Sequence, residues 1–314
     1  MTQTRRADSP GGHEDDGRDP PGLFHPCPPD PDCAYCGAGA PAGSDRFDWS
    51  FVDGAYCISL RSRPDRAARA AAELHRVGLC RTVVFHRPAK HPTRPKIGIW
   101  EAHRAVGLEA LARGQRTVLV LEDDVRFAPW VGPRTVRAVR RALASLPPDW
   151  TIFFLGHWPL RAWFVRRNVL RSASGCTHAY IASPRLLEWL RDHPFGTAPF
   201  VRLAGTGIDA AYAALPAAYA FFPMMATQSG ILSDHLADGA KRKLKKLEHL
   251  FSRWRHRERL LAGLMRPNEL AVAALSPLFY AMDRLGRPLR VQPPRLALAE
   301  EASAASASVG RGSG

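Results

Sequence analysis

The stretch Thr117–Phe127 carries the densest chemistry of the chain. Glu122, Asp123 and Asp124 follow directly on five β-prone residues, Thr117 to Leu121. An apolar run this short reads as a strand buried on both faces. Three carboxylates at the carboxyl end of a buried parallel strand stand where open α/β sheets bind their ligands. They repel one another and need a counter-charge: a divalent cation, Arg or Lys partners, or water. Mg²⁺ and Mn²⁺ take oxygen ligands and commonly keep phosphates among them. The competing reading is a solvated acidic turn that caps the following helix. Strand-then-acid order favours the metal and phosphate site.

The neighbouring segments supply the elements that hold this strand. Ala55–Leu60 reads as a first strand, which leads through Arg61–Arg66 into an Ala-rich helix ending near Gly78, with Pro64 in its first turn. A second strand is expected at Thr82–Phe85, then a helix over Ile99–Arg113 closed by Gly114. After the acidic strand a basic helix runs from about Arg134 to Leu146 and stops at Pro147-Pro148. Strands at Thr151–Leu155 and Thr177–Ala182 and a short helix at Pro184–Arg191 complete the series. Strand and helix alternate throughout, which predicts an α/β fold: a mostly parallel, Rossmann-like sheet with helices on both faces.

The 314 residues leave room for one large domain or two small ones, and a hydrophobic content of 46% is ample for a core. The net charge of +15 is uneven: residues 1–50 are acidic, and the basic body suits polyanionic partners such as nucleotide phosphates, acidic glycans or an anionic membrane. No motif singles out nucleic acid. Neither a signal peptide nor a run long enough to span a membrane is present, so a cytoplasmic protein is expected. Residues 1–46 read as a disordered acidic leader, 47–238 as the catalytic domain, 239–292 as a basic helical extension and 293–314 as a disordered tail. Within residues 241–259, Leu244, Leu247, Phe251 and Trp254 share one face of a basic helix. That helix either lies in a membrane interface or packs on the catalytic domain. Residues 270–291 read as a more apolar helix broken at Pro277.

The six cysteines do not form a disulfide framework. Cys33 and Cys36 have the short spacing of a zinc pair, with His25 and Cys27 nearby, but no second pair follows. Incidental cysteines in a floppy leader are the preferred reading. Cys57, Cys80 and Cys176 read as ordinary buried thiols.

Taken together, several segments resemble the family 25 glycosyltransferases, which include bacterial lipopolysaccharide sugar transferases and collagen galactosyltransferases. Ile58-Ser59-Leu60 with Arg63, Asp65 and Arg66 is similar to the family's opening signature. Gly98, His103 and Leu119–Val125 resemble its central block, and Gly175–Ser183 its later strand. Gly207-Ile208-Asp209 and then Gln228 with Ser233-Asp234 are similar to its final acidic motifs. The similarity covers roughly residues 54–235. Ile99 and Ala102 depart from it, standing where the family usually has Cys and Ser.

The resemblance implies a GT-A-like fold and an inverting, Mn²⁺- or Mg²⁺-dependent transfer of a hexose, galactose foremost, from a nucleoside-diphosphate sugar to a glycan or glycolipid. A UDP-sugar is the expected donor. It places Glu122 and Asp124 at ribose and metal with Asp123 in support, and His235 beside Asp234 as a third metal ligand. Arg63 and Arg66 clamp the diphosphate, or else pair at the surface with Asp65. Asp209 is the expected base towards the acceptor hydroxyl, or else an N-cap. His178 and Tyr180 line the donor pocket or pack in the core, and His103 on an apolar helix face reads as a core residue. Two alternatives stand beside this reading: a metal-dependent phosphoryl or nucleotidyl transferase, and a degenerate transferase domain kept for binding.

Overall fold

The computed structural model describes residues 23–36, 47–197, 207–228 and 267–286. Its centre is a seven-stranded sheet in the order β1-β3-β2-β4-β7-β6-β8. The strands are β1 (Phe24–Pro26), β2 (Gly54–Ile58), β3 (Val83–His86), β4 (Val118–Glu122), β6 (Ile152–Arg166), β7 (Val169–Ala182) and β8 (Ala218–Phe221). Two short strands, β5 (Val125–Phe127) and β9 (Ala226–Gln228), pair separately. The trio β3-β2-β4 is parallel, as the strand–helix alternation predicts, and β6 runs parallel to β8. β7 enters antiparallel between β4 and β6, and β1 is antiparallel on the outer edge.

Alternation along each strand divides the core into two layers. Cys57, Phe85, Leu119 and Leu121 face helices α1 (Pro64–Arg76) and α3 (Pro133–Ala144). Tyr56, Val118, Val120 and Tyr180 face α2 (Pro95–Ala112), α4 (Pro184–Asp192) and α5 (Ile208–Ala214). The sheet is thus covered on both sides, and Leu119 and Leu121 are fully buried. Each such side chain contributes about 1.5–3 kcal/mol by leaving water.

Helices α1, α3 and α4 begin close to where the sequence places them, whereas α2 begins at Pro95, four residues ahead of the expected Ile99. Pro64, Pro95, Pro133 and Pro184 all sit at first-turn positions where a missing N–H costs nothing. In α1, Ala67, Ala70, Ala71 and Leu74 form the buried stripe. Past α2, Gly114 takes a left-handed φ of 69°, as its capping role requires.

Strands 151–155 and 177–182 prove to be the outer ends of a long hairpin, β6–β7, turned at Arg167-Asn168. Gly156, Pro159 and the arginines in between hide this pairing in the sequence. The strand absorbs them through register shifts around Gly156 and between Pro159 and Arg161, where bulges tolerate a residue without an N–H.

The expected disordered leader does not hold for residues 23–36. Phe24–Pro26 add a strand to β3, and Phe24 stacks on His86 with ring centroids 4.7 Å apart. Near the other end, residues 267–274 form α6 and Ser276–Gly286 form α7, with the break at Leu275 just ahead of Pro277. The carboxylate of Glu269 on α6 is buried and accepts the Met224 N–H at 2.8 Å. The Ser276 hydroxyl accepts the Phe164 N–H at 2.8 Å, which docks the segment on the β6–β7 hairpin. No helix among the described residues is long and apolar enough to cross a membrane. Residues 241–259 lie outside the described residues.

Candidate active site

β4 delivers Glu122 to its carboxyl end, and Asp123 and Asp124 form the tight turn into β5. The following helix, α3, starts only at Pro133, so these residues do not cap it. Their charge is met from the sheet's neighbours. Arg66, in the first turn of α1, places Nη2 2.7 Å from Asp123 Oδ1 and 3.1 Å from Asp124 Oδ2. The Asp123 N–H donates to the Ile58 carbonyl at 3.0 Å, which ties the turn to β2.

Glu122 turns the other way. Because β7 runs antiparallel to β4, Thr177 arrives beside it and donates its hydroxyl to Glu122 Oε1 at 2.6 Å. His103, fully buried on α2, holds Nε2 3.6 Å from the same oxygen, and its Nδ1 lies 2.8 Å from the Tyr180 hydroxyl. Tyr180 in turn meets the Tyr212 hydroxyl at 3.1 Å. In the tautomer that points a proton at Glu122, Tyr212 donates to Tyr180 and Tyr180 donates to His103 Nδ1. This buried relay orients the histidine behind the carboxylate. Burial pushes Glu122 up, but His103 and Thr177 outweigh it and hold it down at about 2. Asp124 goes the other way: burial, and then the neighbouring Glu122 charge, raise it to about 8 against the pull of Arg66. Burial also raises Asp123, with Arg66 opposing.

In front of this cluster opens a cleft at the carboxyl ends of β2, β3 and β4. Ile58, Leu60 and Ile99 line it with apolar surface, alongside the acids Glu122 and Asp123 and the cations Arg66 and Lys90.

Several residues stand differently from expectation. Arg63 is a surface residue bound in a fork to Asp65, at 2.9 and 3.0 Å, and this pairing holds the Asp65 carboxyl well below its usual range. Arg66, not Arg63, reaches the cleft. His178 and Tyr180 do not line it: both are fully buried behind it, and His178 lies with Nε2 3.4 Å from the Ala226 carbonyl. Asp209 is exposed in the first turn of α5, where Gly207 is the N-cap, so the capping role falls away. Its charge reaches Cys176 and Tyr212, which places it on the Glu122 side of the sheet. His235 and Asp234 lie outside the described residues.

Among the described residues, Glu122, Asp123 and Asp124 do not bring three ligand atoms together, because two of them turn onto Arg66. The donor set still fits a hard cation: Asp124 Oδ1 is buried with no hydrogen-bond partner, an orphan that a cation would satisfy. Thr177, Tyr212 and Lys90 escape a reading by spacing. Lys90 had a signal in its position, in the Pro-rich loop after β3.

Two buried histidines give the protein a pH signature. Burial, with repulsion from His103, lowers His86 to about 4, and burial lowers His178 to about 4 against the attraction of Glu122. Both stay neutral when folded and take up a proton near pH 6.5 when unfolded. Stability therefore falls as pH drops from about 6.5 towards 4. Asp124 contributes with the opposite sign over the same range, so the effect is read as a difference between variants. Between pH 7 and 5, His86→Gln is expected to gain on the wild type by about 2 kcal/mol in urea unfolding. A constant difference would mean that His86 titrates normally.

No protein-family model matches the chain, and no curated protein matches it. Among solved structures, it is similar to a UDP-glucose pyrophosphorylase complexed with UDP-glucose, at 11% identity and TM-score 0.36, covering 62% of this chain and 81% of that one. It is also similar to a glycosyltransferase involved in glycosylation of the major capsid of PBCV-1, at 12% identity and TM-score 0.29, covering 48% of this chain and 75% of that one.

Proposed function

We propose that the chain is a nucleotide-sugar transferase whose donor occupies the cleft at the ends of β2, β3 and β4. The observation that carries this reading is a cleft lined by both Glu122 and Asp123 and by Arg66 and Lys90. Such a pairing of acids with cations suits a ligand that brings phosphates and sugar hydroxyls together. In this reading Arg66 and Lys90 attract the diphosphate, Ile58 and Leu60 pack against the base, and Glu122 accepts hydrogen bonds from the ribose. Asp124 and Glu122, with His235, hold Mn²⁺ or Mg²⁺, which supplies counter-charge to the diphosphate. Asp209 takes the proton of the acceptor hydroxyl, so that the hexose, galactose from UDP foremost, passes with inversion to a glycan or glycolipid. The basic segment 241–259 would bring the enzyme to an anionic membrane surface, in keeping with a lipid-linked acceptor.

A nucleotidyl transferase would use the same cleft, and a degenerate domain would only bind there. A panel of UDP-, GDP- and CMP-sugars, assayed with Mn²⁺ or EDTA, separates the three. A parallel arm supplies nucleoside triphosphate and sugar 1-phosphate. Release of the matching nucleotide (UDP, GDP or CMP) from one donor, lost with EDTA, is the expected result and names the sugar. Release of pyrophosphate in the second arm would instead identify a nucleotidyl transferase. Nucleotide binding without turnover would leave the degenerate domain.

A further inference from the structure

A second cluster of ligand-type residues lies away from the cleft. Cys33 and Cys36 come from the loop after β1, His75 from the last turn of α1, and Cys80 from the loop before β3. Each offers one ligand atom, and all four atoms lie within 4.8 Å of one another. Cys33 Sγ is 3.7 Å from Cys80 Sγ, and Cys36 Sγ is 3.4 Å from His75 Nδ1. A tetrahedral zinc ion, with bonds of ~2.3 Å to sulfur and ~2.0 Å to nitrogen, has edges of roughly 3.8 Å between sulfurs and 3.5 Å from sulfur to nitrogen. Both measured separations agree with those edges.

The surroundings are arranged in the same sense. His75 Nε2 lies 3.1 Å from the Pro28 carbonyl, to which it donates its proton, and this leaves the lone pair of Nδ1 facing the thiols. The Tyr35 N–H donates to Cys33 Sγ at 3.3 Å, the type of bond that stabilises a thiolate. Burial works against ionisation of Cys33, yet the Tyr35 and Cys36 N–H groups and His75 bring it down to about 7. Cys27 is buried close by, and its thiol is pushed up to about 11 by burial, as suits a bystander.

We propose that Cys33, Cys36, His75 and Cys80 form a structural zinc site that fastens the N-terminal segment to the transferase domain. Three thiolates and an imidazole at tetrahedral spacing select zinc and leave no open position for chemistry. His75 stands nine residues after Arg66 on the same helix, about 14 Å along its axis, so the ion takes no part in the cleft. Its role is mechanical. β1 has only three residues to pair with β3, and in the loop that follows it only Cys27 and Cys33 are buried, with Tyr35 and Cys36 packed against the core. A four-ligand clasp supplies the missing free energy and keeps the edge of β3 covered. The site therefore combines a Cys-x-x-Cys pair with partners from 39 to 47 residues further on. A Cys33–Cys80 disulfide would use two of the four groups and leave Cys36 and His75 without a purpose.

The test uses the full chain, purified under reducing conditions from zinc-supplemented cells, with metal measured by plasma mass spectrometry. About one zinc per chain is expected. Cys36→Ser and His75→Ala should each lose it, and Cys27→Ala should keep it. Cobalt exchanged into the wild type should show thiolate charge-transfer bands and the intense visible bands of a tetrahedral ion. This spectrum and the wild-type stoichiometry decide the matter even where a variant fails to fold. A metal-free wild type, or a Cys33–Cys80 disulfide in its place, overturns the site. So does zinc that survives Cys36→Ser and His75→Ala but is lost in Cys27→Ala.

Discussion

Asp124→Asn is expected to leave the fold intact and to lower metal-dependent donor turnover by at least about a hundredfold. The two halves of this result have one cause. Burial and the Glu122 charge lift Asp124 to about 8, so near neutral pH its carboxyl stays largely protonated without metal. Asparagine matches that neutral form in size and shape, and its amide oxygen can take the place of Oδ2 beside Arg66. The urea midpoint should therefore change little. Cation binding, by contrast, needs the ionised carboxylate, and the orphan position is then held by an amide NH2, which cannot ligate a cation. Turnover and Mn²⁺ affinity are measured on the same preparation. Full activity in Asp124→Asn, with EDTA still inhibiting, would remove Asp124 from the metal site and shift the role to Glu122.

Arg66→Ala should be the most destabilising single change at the site, costing about 3–5 kcal/mol in urea unfolding near neutral pH. Arg66 is the cation shared by Asp123 and Asp124, and all three side chains are largely buried, at 15%, 8% and 14% exposed. Removing it leaves the Asp123 carboxylate, and the Asp124 carboxyl wherever it ionises, in a turn that water barely reaches. Their folded-state affinity for protons then rises further, so the loss is greatest at alkaline pH and is relieved as pH falls and both protonate. Millimolar Mg²⁺ should recover part of the lost stability in the variant, by placing a cation where the guanidinium stood. A small, pH-independent loss would show that the pair is solvated and that Arg66 contributes only packing.

The acidic strand end was legible because two independent patterns coincide there: a short apolar run that must be buried, and three acids that cannot be. The starts of α1, α3 and α4 were legible because proline at a first-turn position is a local signal, whereas α2 begins at Pro95, ahead of the expected Ile99. The long β6–β7 hairpin was not. Its middle mixes Gly156, Pro159 and several arginines, and only pairing in register with another strand makes such a sequence extended. For the same reason spacing alone did not distinguish Arg63 from Arg66. Both lie after β2, yet one points to Asp65 at the surface and the other into the acidic turn.

The zinc cluster marks the same boundary most sharply. Cys33 and Cys36 are neighbours in the chain and could be noticed as a pair, with His25 and Cys27 as the nearest candidate partners. Those two do not join them. His75 and Cys80 do, because β1 docks on β3 and brings the N-terminal loop onto the far end of α1. The sequence by itself determined the alternation of elements, the buried strand and the place where its charge would collect, since these depend on interactions within a few residues. Tertiary structure decided which cation meets each carboxylate, which histidine stands behind Glu122 and which side chains close the cysteine cluster. Those partners are remote in sequence, and only the sheet order brings them within bonding distance.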